Sequence, residues 1–196
     1  MTAGNRRSNG WLAVGLGVWI LAALAGFLTL ARYQFTPGPL AVAPARLAQH
    51  AVEPRLLVFL HPECPCSEST LSELEKVQAA TGSRLHPQLF VYAPHDQPLS
   101  WAKGNLYRHA LRVPGASTEL DPDGRSALKF GVETSGQVLL YSAEGKLVFS
   151  GGITDSRNHE GDNDGEDAIV SYLKTGKCPI ATAPVFGCAL GLKRTG

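Results

Sequence analysis

The feature that most constrains this chain is an uncharged apolar run near its N-terminus, Trp11 to Ala31 (WLAVGLGVWILAALAGFLTLA). A helix needs roughly 18 or more consecutive apolar residues to cross a bilayer, and this run is longer than that. The lack of a polar face disfavours a core helix of a soluble domain. A cleaved signal peptide would usually have an apolar region of about 7–15 residues and a small-residue cleavage site, which LARYQF does not provide. We therefore predict a transmembrane signal anchor over residues 11–31.

The charges beside this run predict its orientation. Arg6 and Arg7 precede it, and only Arg32 follows closely. Because positive charge favours the cytoplasmic side, residues 1–10 are predicted to be a cytoplasmic tail. The expected location is the inner (cytoplasmic) membrane of a bacterium, crossed once, with the domain in the periplasm or another extracytoplasmic space. Disulfides can persist in such an oxidising compartment.

The remaining sequence divides by composition. Residues 32–54 contain four prolines and are predicted to form a tether. A folded domain is expected over 55–176, followed by a cysteine-containing C-terminal tail, 177–196. The chain has 18 basic and 17 acidic side chains and no basic stripe, which argues against a nucleic-acid partner.

Strand and helix patterns alternate through the domain. Apolar runs predict strands at 56–60 and 88–94, and QVLLYSAEGKLVFSGGI predicts a later β-hairpin. Helices are predicted at 67–81, from Ser100 onward, and within GEDAIVSYLKTG. This order indicates an α/β fold with a mixed central sheet and helices on both faces.

Two cysteines lie where the first strand passes into the first helix, in HPECPC. Free backbone N–H groups and the helix dipole stabilise a thiolate at a helix N-terminus. Cys64, just before Pro65, is the predicted nucleophile, and Cys66 could be the resolving thiol. Two inert structural cysteines are less expected on such a turn.

Strand 56–60, the Cys64 turn, helix 67–81 and the late hairpin resemble the thioredoxin superfamily, especially its membrane-anchored, extracytoplasmic members. The resemblance covers roughly residues 50–175. It implies a thioredoxin-like three-layer α/β/α sandwich with a mixed sheet. It also implies thiol–disulfide exchange with protein substrates, Cys64 as nucleophile, and no organic cofactor. LLYSAEGKLVFSGGITDSRNHEGDNDG and PVFGCAL resemble, more narrowly, bacterial membrane proteins called RedB-like.

The chain departs from the family pattern at two places. The usual motif is Cys-x-x-Cys, but here Ser67 stands where the second cysteine would be. A Cys-x-Cys disulfide closes a small, strained ring that is easily reduced. The family's cis-proline, which faces the motif, corresponds to Ser135-Gly136. Pro65, Ser67, Ser135 and Gly136 are therefore candidate accessory residues of the site.

An acidic segment, residues 155–167, follows the hairpin. A calcium loop starting at Glu160 would need glutamate at its twelfth position, which is Ser171. We therefore expect a solvated loop. Because this loop can lie near the catalytic turn, His159 is a candidate site residue.

The other two cysteines, Cys178 and Cys188, allow two interpretations. They can form a structural disulfide that fixes the tail. Alternatively, Cys188 can reach the Cys64 turn as a resolving partner. The sequence leaves both open.

A metal site is the alternative to redox chemistry. His61 precedes the turn and forms, with Cys64 and Cys66, a compact set of soft ligands that suits Cu(I) or zinc. This set predicts a copper-binding or copper-delivery protein on the same fold. A buried His61 that binds no metal is the simpler interpretation of that residue alone.

Overall fold

The computed structural model describes residues 6–48, 51–82 and 85–192, and these divide into two units at Thr36/Pro37. The first unit is a helix, α1 (Arg6–Phe35). Its segment Gly10–Phe35 is long and apolar enough to cross a membrane, with a mean hydropathy of 2.2. The predicted span, 11–31, lies inside this helix. The helix extends further on both sides because no proline or glycine pair interrupts those flanks.

A mixed sheet forms the centre of the second unit. Its strands, in the described residues, run in the order β3-β2-β1-β4-β5. Strand β1 pairs in parallel with β2, which pairs in parallel with β3. Strand β4 runs antiparallel to both β1 and β5. The strands are β1 (Arg55–Leu60), β2 (Gln88–Ala93), β3 (Ser117–Pro122), β4 (Gln137–Tyr141) and β5 (Leu147–Gly151).

The helices of this unit depart from the predicted bounds at two places. The first begins at Pro65, not Ser67, because the fixed φ of proline suits the first helical position. The single helix predicted from Ser100 is two short ones, separated where Gly104 adopts a non-helical ψ of −154°. The helices are α2 (Pro65–Thr81), α3 (Leu99–Ala102), α4 (Asn105–Ala110), α5 (Arg125–Lys129) and α6 (Asp164–Thr175).

The two faces of the sheet are covered differently. One face packs against α2, α4 and α6 in a cluster that includes Val58, Leu74 and Ile169. The other face carries Phe59 and Phe90, whose rings stack with centroids 5.0 Å apart. The short helix α5 lies on this second face, so helices do flank both sides. Extended segments complete that layer.

The predicted tether and tail supply these extended segments. From residue 37 onward, the tether binds the domain: Gly38 N–H donates to the Val185 carbonyl at 2.8 Å, and Leu47 N–H to the Gly145 carbonyl at 2.8 Å. In the tail, Val185, Phe186 and Leu190 are buried. Neither segment has a hydrophobic period, so the sequence pattern does not indicate that they pack against the sheet.

Candidate functional site

The Cys64 turn is built by short-range backbone hydrogen bonds. Cys64 is the N-cap of α2, with extended backbone angles (φ −101°, ψ 115°), and Pro65 begins the helix. Its N–H donates to the His61 carbonyl at 3.1 Å, and its own carbonyl accepts from Ser67 N–H at 2.9 Å. The Cys64 sulfur therefore lies at the positive end of the α2 dipole, as predicted.

Ser67 has a backbone role in this turn. Its side chain is fully buried, and its hydroxyl oxygen accepts from His61 N–H at 3.1 Å. The residue that stands in place of the family's second cysteine thus ties the end of β1 to the first turn of α2. It cannot form a disulfide.

Ser135 and Gly136 face the turn, as the resemblance implies. The Ser135 hydroxyl donates to the Cys64 sulfur at 3.3 Å. Gly136 N–H donates to the Phe59 carbonyl at 2.7 Å. A Cβ on Gly136, which has φ +80°, would lie 3.0 Å from Thr70 Oγ1, so both backbone angle and space favour glycine there. The described residues contain no cis peptide bond.

The tail brings a third thiol to the site. Ser135 N–H donates to the Cys188 carbonyl at 2.9 Å, and Cys188 N–H donates to the Ser135 hydroxyl oxygen at 3.0 Å. The Cys188 thiol donates to the Cys64 sulfur, as does the thiol of Cys66. Of the two arrangements left open by the sequence, the structure therefore has Cys188 at the Cys64 turn.

These donors favour the ionised form of Cys64. They lower its pKa to about 4, the Cys66 thiol contributing most, although burial acts in the opposite direction. The same hydrogen bond raises the pKa of Cys66. Burial, followed by the interaction with Cys64, raises the pKa of Cys188 to about 11, and Arg157 opposes this rise. The site therefore holds one thiolate beside two protonated thiols.

Cys178 lies in a different environment. All four cysteines are free thiols. The Cys178 thiol donates to the Ile180 carbonyl at 2.8 Å, and burial raises its pKa. Its side chain packs beside the cluster on the α2 and α6 face. A disulfide between Cys178 and Cys188 would require Cys188 to move away from Cys64.

His61 packs among aromatic rings at the edge of the site. Its ring lies 5.9 Å from that of Tyr92 and 5.4 Å, edge on, from that of Trp101. Its Nδ1 accepts from Glu63 N–H at 3.2 Å. Burial lowers the pKa of His61, although the charge of Cys64 opposes this. Among the described residues, no group of three or more His, Cys, Asp or Glu side chains could hold a metal ion. The copper alternative stays a hypothesis.

The acidic loop reaches the site through its backbone. The backbone of Asn158 hydrogen-bonds to Cys66. His159 is exposed, and it is not among the groups that act on the pKa of Cys64. Further along, Asn163 caps α6 by accepting from Glu166 N–H at 2.9 Å.

Sequence reasoning missed Arg157, and it did not identify Ser135 as a direct partner of Cys64. Arg157 donates to the Gly187 carbonyl and acts on Cys188. One sequence signal existed: Gly187 precedes Cys188 in FGCAL, and a glycine beside a cysteine can permit a close backbone approach.

No family model and no curated protein matches the chain. Solved structures do match. An uncharacterized conserved protein from Geobacillus kaustophilus is 17% identical, the match covering 83% of this chain and 95% of that one, with a TM-score of 0.61. A hypothetical protein from Sinorhizobium meliloti 1021 is also 17% identical, with 82% and 98% covered and a TM-score of 0.58. A secreted Mycobacterium tuberculosis disulfide oxidoreductase is 17% identical, with 74% and 97% covered and a TM-score of 0.44.

Likeness at this identity establishes a fold, while chemistry must be argued from the site. The fold rests on the topology: β1 leads through the Cys64 turn into α2, β2 pairs in parallel with β1, and an antiparallel hairpin and α6 follow. By this topology, the chain has a thioredoxin-like fold.

Proposed function

We propose that the chain is a membrane-anchored thiol–disulfide oxidoreductase that acts outside the cytoplasm through its Cys64-Pro65-Cys66 turn. One observation carries the proposal: the Cys64 sulfur, at the N-terminus of α2, accepts hydrogen bonds from two thiols and the Ser135 hydroxyl. Such donors stabilise a thiolate, and the thiolate is the nucleophile in disulfide exchange. Inert structural cysteines do not need three donors around one sulfur.

The reaction has two sulfur displacements. The Cys64 thiolate attacks one sulfur of a substrate disulfide, and the other substrate sulfur leaves as a thiolate. A second thiol of the site, once deprotonated, then attacks the Cys64 sulfur and releases the first substrate sulfur. The substrate has gained two electrons and two protons, and the protein is left with one disulfide. A dithiol reductant must return it to the reduced state, and no organic cofactor is needed.

Access to Cys64 requires local movement. The Cys64 residue is only 2% exposed, and Ser135 and Cys188 contact its sulfur. A protein disulfide is too large to reach a covered sulfur. Reaction with protein substrates therefore requires the segments over Cys64 to open, as local fluctuations allow. A small oxidised thiol would need less movement.

Disulfide reduction by the full-length protein in detergent tests this proposal. Turbidity would report reduction of insulin by dithiothreitol. We expect Cys64→Ser to reduce the rate to that of dithiothreitol alone. Cys178→Ser is the matched control, because it removes a thiol outside the site, and it should retain the wild-type rate. An undiminished rate in Cys64→Ser would refute the proposal.

The membrane part of the proposal has its own test. Its support is α1, whose apolar segment follows Arg6-Arg7. Alkaline phosphatase fused after Arg55 should be active, because that enzyme folds where disulfides form. An inactive phosphatase, with an active cytoplasmic reporter at the same junction, would show the opposite orientation.

A copper titration tests the alternative. If the protein delivers copper, His61→Ala should weaken Cu(I) binding in competition with a chromogenic Cu(I) chelator. We expect His61→Ala to retain most disulfide reduction, since His61 packs against rings beside the reactive sulfur. Tight one-to-one copper binding that depends on His61, without reductase activity, would replace the oxidoreductase proposal.

A further inference from the structure

The segment that carries Cys188 is fixed on both sides. Val185 and Leu190 are buried. The Val185 carbonyl accepts from Gly38 N–H at 2.8 Å, and Leu190 N–H donates to the Glu133 carbonyl at 2.9 Å. The position of Cys188 beside Cys64 is therefore held by contacts that do not involve either sulfur.

Gly187 allows the close approach of this segment to Ser135. A Cβ at residue 187 would lie 1.9 Å from the Ser135 carbonyl oxygen and 2.7 Å from its hydroxyl oxygen. Any larger residue would push the segment away from Ser135. Ser135 then hydrogen-bonds to the Cys188 backbone and to the Cys64 sulfur at once.

We infer that Cys188, rather than Cys66, resolves the mixed disulfide at Cys64. This inference rests on the proposed function. After Cys64 has joined a substrate sulfur, the Cys188 thiol loses its proton to solvent and its sulfur attacks Cys64. The Cys64–substrate bond breaks, the substrate leaves as a thiolate, and a Cys64–Cys188 disulfide forms. The substrate is reduced, and the two cysteines supply the two electrons.

Ring strain disfavours the competing Cys64–Cys66 bond. The Cys66 thiol also lies beside the Cys64 sulfur, but a disulfide between cysteines two residues apart closes a small, strained ring. Cys66 is also 5% exposed and lies in the first turn of α2, whose Ser67 N–H bonds to the Cys64 carbonyl. Closing that disulfide would strain this turn. A bond to Cys188 joins two separate segments that already touch and leaves α2 unchanged.

Charge also favours Cys188 once the first step has occurred. Its interaction with the Cys64 thiolate helps to hold the Cys188 proton, and Arg157 acts in the opposite direction. When Cys64 enters a mixed disulfide, its charge disappears but Arg157 stays. The dominant influences on Cys66 are Cys64, burial and the Asn158 backbone, none of them cationic. The first step therefore removes the effect of the Cys64 charge on both thiols, and Cys188 is the one of the two that keeps a cation, Arg157, favouring its ionised form.

Disulfide mapping in full-length protein tests the inference. The reduced Cys178→Ser chain in detergent would receive one equivalent of a disulfide oxidant, then acid and trypsin. Cleavage after Arg55, Lys76 and Lys177 separates the Cys64-Cys66 peptide from the Cys188 peptide. We expect a cross-link between the two peptides, assigned by fragmentation to Cys64. A disulfide within the first peptide would overturn the inference.

Trapping of substrate gives a second readout that separates the inference from the proposed function. During insulin reduction, Cys188→Ser should lose multiple turnover and accumulate insulin bound to Cys64, whereas Cys66→Ser should not accumulate this adduct. The reverse pattern would assign resolution to Cys66, overturning the inference and leaving the proposed function intact. Absence of a Cys64 adduct from both variants would refute the proposed function and the inference together.

Discussion

Cys64 lies at the N-terminus of one helix, and Cys178 lies just after the C-terminus of another. Their sulfurs have opposite hydrogen-bonding roles. Cys64 is the N-cap of α2, and its sulfur accepts hydrogen bonds. Cys178 follows Gly176, the C-cap of α6, and its sulfur donates to a carbonyl. The pKa of Cys64 is lowered, mainly by the Cys66 thiol, and the pKa of Cys178 is raised by burial. The difference shows that position and donors determine whether a cysteine can be a nucleophile.

Burial alone would give Cys64 a higher pKa than Cys178. Cys64 is 2% exposed, and Cys178 is more accessible. Desolvation disfavours a thiolate at both positions. Only at Cys64 do hydrogen-bond donors and a helix N-terminus outweigh it.

The largest expected difference between the two cysteines is in how stability depends on pH. A group whose pKa is lowered by folding stabilises the native state above its unfolded pKa, and this contribution is lost as pH falls through the folded pKa. For Cys64 the window extends from about 8.5, the free value, down to about 4. Denaturant unfolding of reduced wild type should therefore gain stability, relative to Cys64→Ser, as pH rises through this window.

Cys178→Ser is the control for the stability measurement. Because folding raises the pKa of Cys178, its contribution is present below the unfolded pKa and is lost above it. Wild type and Cys178→Ser should therefore show parallel stability profiles below about pH 8.5. Parallel profiles for Cys64→Ser as well would contradict a low pKa at Cys64.

Removing the main hydrogen-bond donor to Cys64 should bring the pKa of Cys64 closer to that of Cys178. The Cys66 thiol is the largest cause of the lowered Cys64 pKa. Cys66→Ala should therefore raise the pKa of Cys64 more than any other single donor change. The pH dependence of alkylation would measure it, with Cys178 in the same chain as an internal reference. An unchanged Cys64 profile would show that the helix N-terminus alone is sufficient.

A smaller change is expected from Ser135→Ala. A hydrogen bond to a charged group contributes about 1.5–3 kcal/mol, which corresponds to roughly 1–2 pKa units. The Cys64 pKa should rise by that amount, and the Cys178 profile should not move. Ser126→Ala is a matched control, because it removes the same hydroxyl from α5 and Ser126 is not among the groups that lower the Cys64 pKa. Equal shifts in both variants would exclude a specific Ser135–Cys64 bond.

Local sequence patterns predicted the parts of the site that local structure builds. The apolar run of β1, the Pro65 turn and the periodicity of α2 are sufficient to place Cys64 at a helix N-terminus. Contacts across the chain have no such signal: Ser135 is 71 residues from Cys64 in sequence. For the same reason, periodicity could not show that the predicted tether and tail pack on the sheet.

The most direct test of the central claim is the alkylation rate of Cys64 against pH, measured in reduced full-length protein. A small reagent such as iodoacetamide is required because Cys64 is 2% exposed, and peptide mass spectrometry would follow Cys64 and Cys178 separately. The account predicts that the Cys64 rate is already at its plateau near neutral pH and falls with a midpoint far below the free value of about 8.5. The Cys178 rate should still be rising above that value. A Cys64 midpoint at or above about 8.5 would contradict the account.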